Sequence, residues 1–334
     1  MPPIDQVELA FNPTTLMILN VVLGFVLFGV ALDLRVTHFV DLVKDPKAPL
    51  VGLVAQFLLL PALAFGLVSL LPIAPSVKLG VLLVAACPGG NVSNFLTHLA
   101  KGNTAVSVGM TLISTCAALV TTPLNLAFWG GMNPETAALL KSFSLDPLQM
   151  LFTVGVLLGV PLASGMALAH YAPKLAASLR IPLKWLSIVF FAVFVGLAFR
   201  ANFTHFLNHV GTVFVPVLLL NAGALALGWG AARLVGLPQA DRRAVSIEVG
   251  IQNSGLGLIL VFNFFSGLGG MAVVAAWWGL WHIIAGMTLA ATAGTTDLSA
   301  AARSFLSGGN NASGTNAGNF TLPLAAIDTV DLAP

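Results

Sequence analysis

Glu248 is the residue of this chain best placed to do chemistry. It lies in Ile247-Glu248-Val249-Gly250-Ile251-Gln252-Asn253-Ser254-Gly255, an apolar, glycine-punctuated stretch that ends in amides and a hydroxyl. A second stretch, Cys87-Pro88-Gly89-Gly90-Asn91-Val92-Ser93-Asn94, is built in the same style. Further oxygen-bearing residues stand in apolar runs: Gln56, Ser107, Thr111, Ser114 and Thr115. Ser107 and Thr111 are four apart and share a helix face. Carboxylate, hydroxyl, amide and carbonyl oxygens together suit a hard cation. A soft metal would want a cysteine and histidine cluster, and neither Cys87 and Cys116 nor the six histidines form one in sequence. His205 and His209 read as interfacial, and His282 as a packing or pathway residue. A competing reading pairs Glu248 with Arg242 or Arg243. Five helical residues span roughly 7–8 Å, which a long arginine partly covers by snorkelling, but this pairing leaves Gln252, Asn253 and Ser254 unexplained.

The elements that must position these groups follow from composition. Of 334 residues, 57% are hydrophobic and 8% charged, and the mean hydropathy is +0.96. Soluble domains carry about 25% charged residues, so the chain is an all-α polytopic membrane protein. A net charge of +2 without a basic tract gives no reason to expect nucleic acid. Two cysteines in apolar runs make no disulfide framework. No basic segment precedes the first apolar run, so that run is expected to be a retained helix, not a cleaved signal.

Spanning helices need about 20 apolar residues, and nine such stretches are expected, near 14–33, 49–71, 76–98, 103–128, 149–170, 181–200, 211–234, 245–266 and 271–294. Eleven lysines and arginines, Arg35, Lys101, Arg242 and Arg243 among them, fall on one side; Lys78, Lys141 and Arg200 fall on the other. The positive-inside rule then puts the N-terminus outside and the C-terminus in the cytoplasm. Residues 295–334, rich in Gly, Asn, Ser, Thr and Ala, are expected to be a disordered cytoplasmic tail.

The third and eighth stretches are interrupted. Proline lacks a backbone donor and glycine favours unwinding, and broken backbone at membrane depth is tolerated only inside protein or along a watery cavity. Paired interruptions in corresponding positions of two halves point to a transporter site. If one helix is absent from the front, the third stretch corresponds to the eighth, and the chain reads as an inverted repeat of four plus five helices.

The two interrupted segments, with Trp281-His282 in the last stretch, resemble the signatures of the bile acid:sodium symporter family, over about residues 14–294. The resemblance implies one transmembrane unit, 1–294, with a core (approximately 49–128 and 211–294) holding two crossed discontinuous helices and a panel (approximately 14–33 and 149–200). It implies a first sodium site from Ser93, Asn94, Ser107, Thr111 and Glu248. A second would use Gln56, Glu248, Gln252 and the carbonyls of Val249 and Ile251. Asn91, Val92, Asn253 and His282 become expected contacts of an organic anion: a bile-acid-like steroid, pantoate or a 2-oxo acid. Ile283 stands where some bacterial relatives have Asn, which bears on the choice of substrate. The implied protein is a monomeric symporter of a bacterial inner membrane, with two sodium ions as coupling ions and no other cofactor.

Other functions fit fewer residues. A proton-coupled exporter resembling the arsenite carriers would use Glu248 as the titrating group and Cys87 for a soft substrate. An intramembrane enzyme would need paired aspartates, a zinc-binding helix motif or a nucleophile elbow, and the sequence shows none. A sodium sensor without transport would bind without flux.

Overall fold

Every regular element among the described residues is a helix, the form in which a chain at membrane depth satisfies its own backbone. The structure is a computed structural model that describes residues 4–6, 13–32, 45–143, 147–183, 185, 186, 189 and 203–293. The expected tail, most of the sixth stretch, and Arg35, Arg200 and Arg303 lie outside the described residues.

In chain order the helices are α1 (Pro13–Ala31), α2 (Lys47–Leu70), α3 (Pro75–Ala86), α4 (Val92–Leu99), α5 (Thr104–Met132), α6 (Pro134–Ser142), α7 (Pro147–Tyr171), α8 (173–183), α9 (Phe203–Leu234), α10 (Gln239–Gly250), α11 (Ser254–Phe264) and α12 (Gly269–Ala293). Five of them contain stretches long and apolar enough to cross a membrane: Lys47–Leu70, Thr104–Met132, Leu151–Tyr171, His209–Leu234 and Gly269–Thr292. On α7, Leu148, Phe152, Val156 and Val160 recur every four residues and expose 45–73% of their surface. An apolar stripe that exposed suits lipid and not water.

The interruptions divide two of the expected stretches into helix pairs, α3 with α4 and α10 with α11. Ser76 to Ala86 of α3 are all buried, as befits a helix apolar on every side. It packs against α12, α5 and α2, while α10 lies along α9 and α1 lies along α7. α1 also meets α11 through a reciprocal amide pair: Asn20 Nδ2 donates to Asn263 Oδ1 at 3.0 Å and Asn263 Nδ2 donates to Asn20 Oδ1 at 2.8 Å.

Three details depart from the sequence expectation. A short helix, α6, stands where a loop was expected; the Asn133 side chain accepts from the amides of Glu135 and Thr136 at its N-terminus, and Glu135 pairs with Lys78 at 2.7 Å. α10 begins at Gln239, so Arg242 and Arg243 stand on its first turns and not in a loop. α2 widens into a π turn over Ala55–Leu59, which contains Gln56. Such turns occur frequently at functional sites, because the altered hydrogen-bond ladder re-aims side chains.

Candidate ion and substrate site

An interrupted helix strands backbone groups, and each needs a partner when buried. Here the two interruptions satisfy one another. Gly90 N donates to Ile251 O at 2.8 Å and Asn253 N donates to Pro88 O at 2.9 Å. This antiparallel pairing, centred on Gly89 and Gln252, makes the two breaks cross at one point. Two side chains reach further carbonyls there. Gln56 Nε2 donates to Cys87 O at 2.9 Å, and Gln252 Nε2 donates to Val249 O at 2.6 Å.

Glu248 is fully buried at this crossing. Its carboxylate accepts from Ser93 Oγ of α4, from Ser107 Oγ of α5 at 3.0 Å and from Thr111 Oγ1 of α5 at 2.7 Å. Arg242 and Arg243 do not reach it. Arg242 Nε donates to Leu237 O at 2.5 Å and Arg243 Nη1 to Ala100 O at 2.9 Å, so the two arginines cap nearby carbonyls and do not pair with Glu248. Isolated charge is costly at this depth, and the carboxylate's hydrogen-bond partners among the described residues are all hydroxyls.

The cluster makes more oxygen–oxygen contacts than its hydroxyls have protons. Asn94 Oδ1 lies 2.9 Å from Ser107 Oγ and 3.2 Å from Thr111 Oγ1. A hydroxyl carries one proton, so Ser107 and Thr111 cannot donate to Asn94 and to Glu248 at once. Thr97 Oγ1 adds one donor, 3.2 Å from Ser107 Oγ. Beside them, Gln56 Nε2 donates to Gln252 Oε1 at 2.5 Å, while Gln56 Oε1 is buried with no hydrogen-bond partner among the described residues. Converging oxygens short of protons are the chemistry of a hard-cation site. Gly89 makes room for it, since a Cβ there would overlap Glu248 Oε1.

Residues expected at the site divide accordingly. Ser93, Asn94, Ser107, Thr111 and Glu248 form one hydrogen-bonded cluster, and Gln56 and Gln252 form a second. The Ile251 carbonyl takes part in the break-to-break pairing and that of Val249 faces Gln252. Ser114 and Thr115 turn away, donating to Thr111 O at 3.1 and 2.7 Å. Asn91 and Val92 are exposed. Asn253 accepts from Leu256 N at 3.0 Å and so caps α11. His282 is buried on α12, and its Nδ1 has no hydrogen-bond partner among the described residues. The same α12 face, at Gly279 and Gly286, lies against Ser254 and against Leu96 and Ile251, and His282, three residues beyond one and four before the other, faces the crossing with them. Cys87 is fully buried, and a Cβ at Gly257 would lie 3.7 Å from its sulfur.

The model of the sodium bile acid symporter family matches residues 20–209, more than half of the chain. The protein belongs to the sodium bile acid symporter family. Relatives in this family include a Bacillus subtilis protein named as an uncharacterized sodium-dependent transporter, YocS, 33% identical over 272 residues and 81% of each chain. The human ileal sodium/bile acid cotransporter is 32% identical over 247 residues, 72% of this chain and 67% of the relative. An Arabidopsis thaliana protein named as a probable sodium/metabolite cotransporter, BASS1, is 31% identical over 269 residues, 80% of this chain and 64% of the longer plant protein. As a member of the sodium bile acid symporter family the chain is an integral membrane transporter and not an enzyme. The family match holds Gln56, the first interruption, Ser107 and Thr111. Glu248 lies beyond it, and its part in the site rests on the geometry.

Proposed function

We propose that this chain is a sodium-coupled symporter that imports an organic anion by alternating access. The observation that carries the reading is the proton-poor oxygen cluster around Glu248. One sodium ion would be held by Ser93, Asn94, Ser107, Thr111 and Glu248. A second would be held by Gln56, Glu248, Gln252 and the carbonyls of Val249 and Ile251. A cation in the first cluster ties α4 and α5 to α10, and one in the second ties α2 to the same carboxylate. Sodium binding therefore fixes the crossing.

Two sodium ions against one carboxylate leave a net positive charge beside the crossing. The N-termini of α4 and α11 face the same region, and helix N-termini favour anions. Asn91, Val92, Asn253 and His282 border it and are the proposed contacts of a small carboxylate or a bile-acid-like steroid. The names of the relatives, which speak of sodium with bile acids or metabolites, support a substrate of this class.

The same reading assigns nine spanning helices in a four-plus-five inverted repeat. The core comprises approximately 49–128 and 211–294, and the panel approximately 14–33 and 149–200. It places a monomer in a bacterial inner membrane with its N-terminus outside. Uptake of labelled taurocholate, pantoate and pyruvate into proteoliposomes, driven by an inward sodium gradient, tests it. The expected outcome is uptake of at least one of them that ceases when choline replaces sodium and in Glu248→Gln. Removing one partner of a buried charge pair costs about 2–5 kcal/mol, and the lower figure alone weakens sodium binding roughly thirtyfold. Wild-type rates in Glu248→Gln, with unchanged sodium dependence, would sink the ion assignment.

A further inference from the structure

Each interruption leaves the last carbonyl of its leading half-helix without a helical partner. Ala86 ends α3, and the amide it would accept in a continuous helix, that of Gly90, goes to Ile251. Gly250 ends α10, and Ser254 N, its helical counterpart, donates instead to Gln252 O at 3.0 Å. In both places a side chain of the neighbouring unbroken helix supplies the donor. Thr122 Oγ1 of α5 donates to Ala86 O at 2.8 Å. Asn221 Nδ2 of α9 donates to Gly250 O at 2.8 Å. Both side chains are buried, at 0% and 1% exposure, and neither hydrogen-bonds to Glu248, Gln56 or Gln252.

The second of these contacts belongs to a matched pair. Ser246 Oγ donates to Leu225 O at 2.8 Å. Asn221 and Leu225 are four apart on α9, as Ser246 and Gly250 are on α10, so two hydrogen bonds one helical turn apart fix the antiparallel register of α10 on α9. Gly250 lies between Val249 and Ile251, whose carbonyls the sodium reading uses. The hydrogen bond to Gly250 O holds the peptide that links them.

We propose that Thr122 and Asn221 are positioning residues for sodium: they clamp the carbonyl ends of both interruptions from the flanking helices and so set the cation affinity of the crossing. The proposal rests on the sodium reading above. Without either donor a buried carbonyl lacks its hydrogen bond, and the interrupted backbone turns to seek another partner. The cation then finds its oxygens displaced, although no ligand has been changed.

The test uses the full-length protein in nanodiscs, without organic substrate. Thermal stability is titrated with sodium chloride against choline chloride at constant ionic strength, for wild type, Asn221→Leu, Thr122→Val and Thr122→Ser. The expected result is a sodium half-saturation raised about tenfold (~1.4 kcal/mol) in Asn221→Leu and Thr122→Val, with Thr122→Ser close to wild type because it keeps the hydroxyl. Variants that melt lower without sodium but titrate with the wild-type midpoint would overturn the proposal and leave these residues a packing role only. If Asn221→Leu does not fold, the Thr122→Val and Thr122→Ser pair decides by the same criterion. A wild type whose stability ignores sodium would sink the sodium reading itself, and the positioning role with it; a responsive wild type with unaltered variants sinks the positioning role alone.

Discussion

Gly90 gives its amide hydrogen to the carbonyl of Ile251 across 2.8 Å, and through this bond two interrupted helices far apart in sequence become one structure. The carboxylate of Glu248 lies beside the bond, with hydroxyls from α4 and α5 on it. Changes at either interruption should therefore be felt at both.

Gly89 offers the sharpest steric test. Alanine at this position would push a methyl group into Glu248 Oε1, forcing the carboxylate off its hydroxyls. Overpacking of this kind costs typically about 1–3 kcal/mol. Gly89→Ala is expected to lower the melting temperature and to abolish sodium-driven uptake, while reconstitution still yields inserted protein. Uptake at the wild-type rate would show that the carboxylate has room to move.

Gln56 separates the two proposed ion positions. Gln56→Leu keeps the size of the side chain but removes the donor to Cys87 O and Gln252 Oε1 and the free oxygen between α2 and the crossing. Buried groups left without partners cost about 1–3 kcal/mol each. The dependence of uptake on sodium concentration is expected to change from sigmoidal to hyperbolic, with residual transport at high sodium. An unchanged sigmoidal curve would remove Gln56 from the second position.

The amide pair between α1 and α11 reports on motion. If panel and core rock against each other, Asn20 and Asn263 must part during each cycle. In a Cys87→Ser, Cys116→Ser background, joining Asn20→Cys to Asn263→Cys with a short dimaleimide is expected to stop uptake while leaving sodium-dependent thermal stabilisation in place. Undiminished uptake by the linked protein would mean that α1 and α11 travel together.

Much of the site was legible in the sequence because membrane depth makes polar groups conspicuous. Glu248 stands out by the cost of its charge, and Pro88 with Gly89 and Gly90 marks the first interruption. The second has no proline, yet Gly250 and Gly255 around Gln252-Asn253-Ser254 mark it as well. What escaped was the support around these groups. Thr122 and Asn221 are single polar residues in long apolar helices, and only the fold brings them to Ala86 and Gly250. The one available hint was their setting: Thr122 directly precedes Pro123, and Asn221 follows Pro216 within an otherwise apolar run. Helix ends were less legible than helix cores. The π turn at Gln56 has no local sequence mark, and α6 depends on an Asn133 cap and a Lys78 partner from another helix. Distance along the chain brings Arg242 and Arg243 near Glu248, whereas their contacts run to Leu237 and Ala100.

The mutual pairing of the two interruptions also bears on how the protein is made. Chains are synthesised from the N-terminus at about 5–20 residues per second, so α3 and α4 leave the ribosome well before Asn253 exists. Until then Pro88 O and Gly90 N lack the partners that the finished molecule gives them, at a depth where lipid offers none. The first interruption must wait, shielded by water or by the insertion machinery, for the last quarter of the polypeptide to arrive. A chain that stops before residue 253 therefore carries Pro88 O and Gly90 N into the membrane without the partners that close the first interruption.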